Sequence, residues 1–264
     1  MPDEPTIDAL ALGQQVVAVL ETGLRTATYK LATLMALVDH CVEYLPDHRE
    51  NELAIPISRL AERVLETYWR QVAPLHGFGR LRQSSQPRAR VLQAVQDLRA
   101  EAASSHISSP GLARDRLPVA YGRAVDDITL TLAQQPLHRL QRVTGAAAGP
   151  TFLYDDSWLN DHVSWRTINE HDGVIILYAG VAAGLARLSG LLKPTLELLW
   201  VQDVVKLNSG LVEEGQDVAG HLFRGSPAGA PTWQSRGKFT PLDLRAGPAP
   251  WLEYDSGHSR GGLG

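Results

Sequence analysis

Between residues 155 and 172 the chain gathers the residue types of a metal-dependent phosphodiesterase: Asp155-Asp156, Asp161-His162, Trp165, Asn169 and His171. In such chemistry a histidine takes a proton from the attacking water, while a divalent metal polarises the phosphate and offsets charge on the leaving oxygen. Asp161, His162 and His171 are therefore the catalytic candidates. Their spacing argues against the role. A compact site of this kind places a hairpin between its general base and the asparagine, then a helix that carries the last histidine. Seven residues from His162 to Asn169 leave little room for that. The competing reading is a polar surface loop joining two helices.

A second chemistry-bearing feature is a run of arginines: Arg80, Arg82, Arg88 and Arg90. They belong to a block, residues 59 to 142, with 13 basic and 7 acidic side chains, and all 13 are Arg. The flanking blocks are acidic: residues 1 to 58 carry 3 basic and 9 acidic groups, and residues 143 to 225 carry 5 and 10. A guanidinium fork matches phosphate oxygens and stacks on bases, so this block is a candidate nucleic-acid face. Only four Lys occur in the whole chain, so a general preference for Arg accounts for part of the pattern. His40, His48, His76, His106, His138, His221 and His258 are scattered without ligand spacing and receive no role. No phosphate loop, dinucleotide fingerprint or nucleophile elbow is present.

The elements that must position these groups are helices. From Thr28 to Leu45, Leu31, Leu34, Met35, Val38, Cys41, Val42 and Leu45 recur at three- and four-residue steps. Pro56 opens a second helix that carries Leu60, Ala61, Val64, Leu65, Tyr68, Trp69 and Val72. Residues 76 to 90 read as a loop, a third helix starts near Val91, and residues 103 to 118 read as another break. Val119 to Leu132 and Pro136 to Val143 read as shorter helices, and Thr151 to Tyr154 as a short extended segment. Val174 to Leu192 and Thr195 to Val212 read as two further helices. Tyr29, Tyr68 and Trp69 lie on apolar stripes, which makes them core residues before nucleotide-stacking ones.

Length and composition bound the rest. A chain of 264 residues with 44% hydrophobic residues can bury a sizeable core without a structural metal. One thiol, Cys41, cannot build a disulfide framework or a paired-cysteine zinc site, which places the chain in a reducing cytoplasm. The most apolar stretch, residues 173 to 186, stops at Arg187, short of the roughly 20 residues that span a bilayer. The last 39 residues hold 7 Gly and 5 Pro and lose all apolar periodicity, so residues 225–264 are expected to be a disordered tail. The expected fold class is all-α, an irregular multi-helix bundle over residues 8–224.

Several blocks, in order, carry a resemblance: TYKLATLMALVDHCVE from Thr28, LAERVLETYWRQVAPL from Leu60, Arg82-Gln83, PLHRLQ from Pro136, TFLYDD from Thr151 and LWVQDVVKLN from Leu199. Together, over residues 26 to 224, they resemble the N-terminal helical region of a bacterial family of HNH endonucleases. The resemblance implies a ββα-metal nuclease module on the C-terminal side, with a Cys-x-x-Cys pair, an Asp-His and a bound Mg or Mn. After Phe223-Arg224 none of these residues follows, so a divalent metal is expected only where such a module exists. The tail is then expected to be an out-of-frame or degenerated remnant. Three functions follow. The first is a helical DNA- or partner-recognition region of a restriction or phage-defence nuclease, without hydrolysis of its own. The second is a stand-alone protein-interaction module that binds no nucleic acid. The third is a self-sufficient enzyme built on residues 155 to 172.

Overall fold

The computed structural model describes residues 8–22, 27–46, 48, 51–75, 79–86, 89–142, 151–209 and 218–223. The chain is mostly helical, as its periodicity implies, with short strands only. The expected tail, 225–264, lies outside the described residues.

Ala9–Thr22 forms α1, an element that the sequence reading passed over. Its start is held by Asp8, whose Oδ1 accepts the Leu10 N–H at 3.0 Å. Tyr29–Glu43 forms α2, in which every residue from Leu31 to Val38 is buried. A helix apolar on all sides belongs in the middle of a structure, and α2 holds that place. Ile57–Gln71 forms α3, strongly amphipathic, with Ile57, Leu60, Ala61, Val64, Leu65 and Tyr68 turned inward. Arg90–Ser104 (α4), Pro110–Arg116 (α5), Pro118–Gln134 (α6) and Pro136–Arg139 (α7) follow. The segment 103 to 118, expected to be a break, therefore contains α5. Ser109 caps it through Oγ on the Leu112 N–H, and Pro110 supplies a first turn with its φ already set.

Trp165–Glu170 (α8) begins in a capping box between Ser164 and Thr167. The expected helix from Val174 to Leu192 is corrected in its first part. Val174–Leu177 is a strand that pairs antiparallel with Leu53–Pro56, in the register Leu53 with Leu177 and Pro56 with Val174. In chain order the strands are β1 (Leu53–Pro56), β2 (Pro74–Leu75), β3 (Gly79–Arg80) and β4 (Val174–Leu177), with β2 and β3 forming a small hairpin. Val-Ile-Ile-Leu is a short apolar run whose period fits either structure, and its β-branching decides for the strand. Left-handed backbone at Gly173 and Gly180 brackets it. The 151–154 segment forms no strand, but Tyr154 makes an isolated bridge to Leu177.

The expected gap between two last helices is also absent. Val181–Leu207 (α9) runs unbroken through Pro194. A proline inside a helix frees the carbonyl four residues back, here that of Gly190. Both Gly190 and Pro194 are exposed, so the freed carbonyl lies on the solvent side, while Leu192, Leu196 and Trp200 stay buried. α9 packs along α2, and the short helix Val218–Leu222 (α10) packs on α3 and α9. Among the described residues no helix is long and apolar enough to cross a membrane.

The core contains a column of aromatic rings. Tyr29 meets Tyr68 edge-on at 6.1 Å, Tyr68 lies 5.0 Å from Trp200, and Trp200 meets Phe223 at 5.7 Å. Beside this column runs a buried polar frame. Gln83 Oε1 accepts the Trp200 indole N–H at 2.8 Å, and the Gln83 carbonyl accepts the Thr28 N–H at 3.0 Å. The Thr28 and Tyr68 hydroxyls are hydrogen-bonded to each other. At the end of α9, Asn208 takes the Arg82 N–H on Oδ1 at 2.8 Å and donates from Nδ2 to the Arg82 carbonyl at 2.9 Å. Gln141 plays a matching part: its Oε1 accepts the N–H groups of Phe152 and Leu153 at 2.9 and 2.7 Å, and its Nε2 donates to the Tyr154 carbonyl at 2.8 Å.

Two measurements check this architecture. Gln141→Leu strands buried backbone groups that have no other partner, each worth about 1–3 kcal/mol, so urea unfolding should lose at least about 2 kcal/mol. Cys41 is buried and burial pushes its thiol up to about 12. It should resist an aromatic disulfide reagent in the native protein and react at once in urea, because the thiolate is the reactive form. Rapid native labelling would contradict the packing of α2.

Candidate functional site

The acidic loop and α7 together form a charged cluster. Asp161 is engaged on both oxygens: Arg139 Nη2 lies 2.6 Å from Oδ2 and 2.9 Å from Oδ1, and Gln135 Nε2 donates to Oδ1 at 2.9 Å. His162 is exposed, and its backbone N–H is held by Asn160 Oδ1 at 2.8 Å. His171 caps the end of α8 and stacks face to face on Trp158, with ring centroids 4.6 Å apart. Asp155 serves the loop itself, accepting from the N–H and hydroxyl of Ser157 at 2.9 and 3.0 Å.

Asp156 is the perturbed acid of this region. It is buried, and desolvation raises its pKa above the ordinary carboxylate value, partly opposed by Arg142 at 4.0 Å. His138 sits in the same field; its burial and then the positive charge of Arg142 hold its pKa low. Arg142 Nη2 contacts His138 Nδ1 at 3.3 Å. Sequence reasoning missed His138, Arg139 and Arg142 as partners of the loop. The available signal was the spacing of Arg142, which follows His138 by four residues and Arg139 by three, although α7 itself ends at Arg139. Among the described residues no group of three or more His, Cys, Asp and Glu side chains is disposed to hold a metal ion. The residues between His162 and Asn169 enter α8 directly, with no hairpin between them.

The arginine block is arranged differently. Arg80 on β3, Arg82 in the following loop and Arg90 at the start of α4 are all exposed, whereas Arg88 lies outside the described residues. The backbone is clamped at Arg82 and at Gln83 beside it. Asn208 grips Arg82 on both its N–H and its carbonyl, and Gln83 next to it is locked onto Thr28 and Trp200. The Arg90 guanidinium donates to Gln134 Oε1 at 3.2 Å.

Two further arginines join this stretch. Arg99 lies with its guanidinium 5.3 Å from the Trp69 ring centre and donates to the Trp69 carbonyl. Burial, and then the positive charge of Arg80, lower its pKa. Arg70 donates to the His221 carbonyl at 3.3 Å. None of Arg70, Arg80, Arg82, Arg90 and Arg99 forms an ion pair with a carboxylate of the described residues. Arg59, Arg63, Arg114, Arg123, Arg139, Arg142 and Arg166 each do, and Arg116 and Arg187 are the other two without one. Uncancelled positive charge is thus concentrated between residues 70 and 99. Such charge attracts anions over a range set by the Debye length.

No curated protein and no solved structure matches the chain. A family model described as a domain of unknown function, DUF8808, matches residues 9–220, an interval that contains α1 to α9 and both clusters described above. The chain belongs to that family.

Proposed function

We propose that this chain is a helical DNA-recognition region of the kind that accompanies HNH-type endonucleases in restriction or phage defence, without hydrolytic activity of its own. One observation supports the reading above others: five arginines between residues 70 and 99 have no described carboxylate partner. Arg82 leaves a clamped backbone for solvent, Arg80 and Arg90 are exposed as it is, and Arg99 is oriented by Trp69. Phosphate oxygens at regular spacing along a duplex are the natural counter-charge for a preset array of guanidinium forks. The array carries no base-reading geometry by itself, so it positions the duplex and leaves sequence choice to other contacts.

The reading is tested with the full chain and a short fluorescent DNA duplex, by anisotropy over a range of KCl concentrations. Binding should fall steeply with salt, because condensed counterions are released on association. Replacing Arg80, Arg82 or Arg90 by Gln should reduce the salt slope by about 0.9 for each phosphate no longer neutralised, with little change in thermal stability. Binding that is absent or indifferent to salt would overturn the proposal and favour a protein-interaction module. Incubation with Mg²⁺ or Mn²⁺ should leave supercoiled DNA intact. Nicking that is lost in His162→Ala would instead identify a self-sufficient nuclease.

A further inference from the structure

The short helix α10 is held against the end of α3 by side chains that take its last carbonyls. Arg70 Nη2 donates to the His221 carbonyl at 3.3 Å, and Gln71 Nε2 donates to the Leu222 carbonyl at 2.9 Å. Val218 and Leu222 are buried, and Phe223 sets its ring edge-on against Trp200. The last carbonyls of a helix have no donors of their own within it, so Arg70 and Gln71 act as the cap. With five residues, α10 is too short to stay helical in water without such support.

This seat is imperfect on both of its sides. Gln71 is 1% exposed, and its Oε1 is closed off from solvent with no hydrogen-bond partner among the described residues. His221 Nε2, on the α10 side of the same contact, is closed off and unpartnered as well. Buried polar groups nearly always have a partner, and one without it has lost its water for nothing in return. Undocking α10 rehydrates both atoms at once. Of the two bonds that oppose undocking, the one from Arg70 is long and ends on a neutral oxygen.

Arg70 is also one of the five arginines without a described carboxylate partner. Beside it, the Trp69 carbonyl holds Arg99, which lies in the positive field of Arg80. While α10 is docked, the Arg70 guanidinium is engaged on a peptide carbonyl. A phosphate oxygen offers it a shorter, charge-assisted bond about twice as strong. Docked α10 and a bound phosphate therefore compete for one side chain, and such coupling is reciprocal: whatever takes Arg70 loosens α10.

We infer that α10 is an autoinhibitory latch, which withholds Arg70 from a nucleic-acid phosphate while docked and leaves α3 when that phosphate binds. The inference rests on the DNA-recognition reading above and supplies its regulation.

Two readouts on the full chain test it: peptide-level hydrogen exchange over residues 218–223, and anisotropy of the fluorescent duplex. Adding duplex to the parent chain should speed exchange over 218–223 at least threefold. Phe223→Ala removes the ring from Trp200 and should speed that exchange without DNA. It should also tighten duplex binding at least threefold and add about 0.9 to the salt slope, for one more phosphate neutralised. Combining it with Arg70→Gln should abolish the gain. His221→Leu removes an unpartnered polar atom, so it should slow exchange and weaken duplex binding, which keeps the test valid if losing the Phe223 ring disturbs the fold. Three results would overturn the latch and leave DNA recognition standing: fast exchange in Phe223→Ala with parent-like binding, exchange in the parent that DNA does not change, or His221→Leu binding as tightly as the parent. Absence of duplex binding in the parent and in both variants would remove the recognition reading and the latch together.

Discussion

Gln83 is the residue on which the arrangement of the large helices turns. A single amide side chain, almost wholly buried, accepts from the indole of Trp200 on α9 while its backbone carbonyl accepts from Thr28 at the head of α2. Thr28 in turn bonds to the Tyr68 hydroxyl on α3. Three helices far apart in sequence are therefore tied at one polar point inside an apolar core. Burying a polar group is costly unless it is satisfied. Both Gln83 oxygens have donors, whereas its buried Nε2 has no partner among the described residues, so little can be lost from the bonds that remain. Hydrophobic contact alone leaves neighbouring helices several ways to slide, and directed bonds at this point select one of them.

The same logic explains what several amide and aromatic side chains spread along the chain do. Gln141, Tyr154 and Asn208 each hold backbone in place, and Trp200 holds the Gln83 side chain. Gln141 serves the 152–154 segment as Asn208 serves Arg82, with an amide satisfying N–H and carbonyl together. A series of such residues reports the scaffold, and it leaves the side chains of Arg80 and Arg82 exposed.

Periodicity made α3 and α4 legible, because each buries one regular face, and it correctly assigned Tyr68 and Trp69 to the core; α2 was legible as a helix, but it is buried on all sides along its middle. It failed where pattern and period separate. Val174 to Leu177 is a run whose period fits helix or strand alike, and its β-branching together with its pairing to Leu53–Pro56 makes it a strand. Pro194 looked like a boundary since local rules take no account of solvent on one side and packing on the other. Charge told where the arginines were abundant, but not which of them had carboxylate partners. The seat of α10 was illegible for a stronger reason. Arg70 and His221 lie 151 residues apart, and no spacing within the chain announces that meeting.

The bonds around Gln83 also bear on how the fold is reached. Thr28 pairs with Gln83 across 55 residues, Gln83 with Trp200 across 117, and Arg82 with Asn208 across 126. Each bond closes a long loop, and the entropy of closure is lost before the bond compensates for it. During synthesis the face that receives Trp200 must therefore stay uncovered until α9 has left the ribosome. The domain closes late in this sense: the polar frame is complete only once the whole span from the head of α2 to the end of α9 is present.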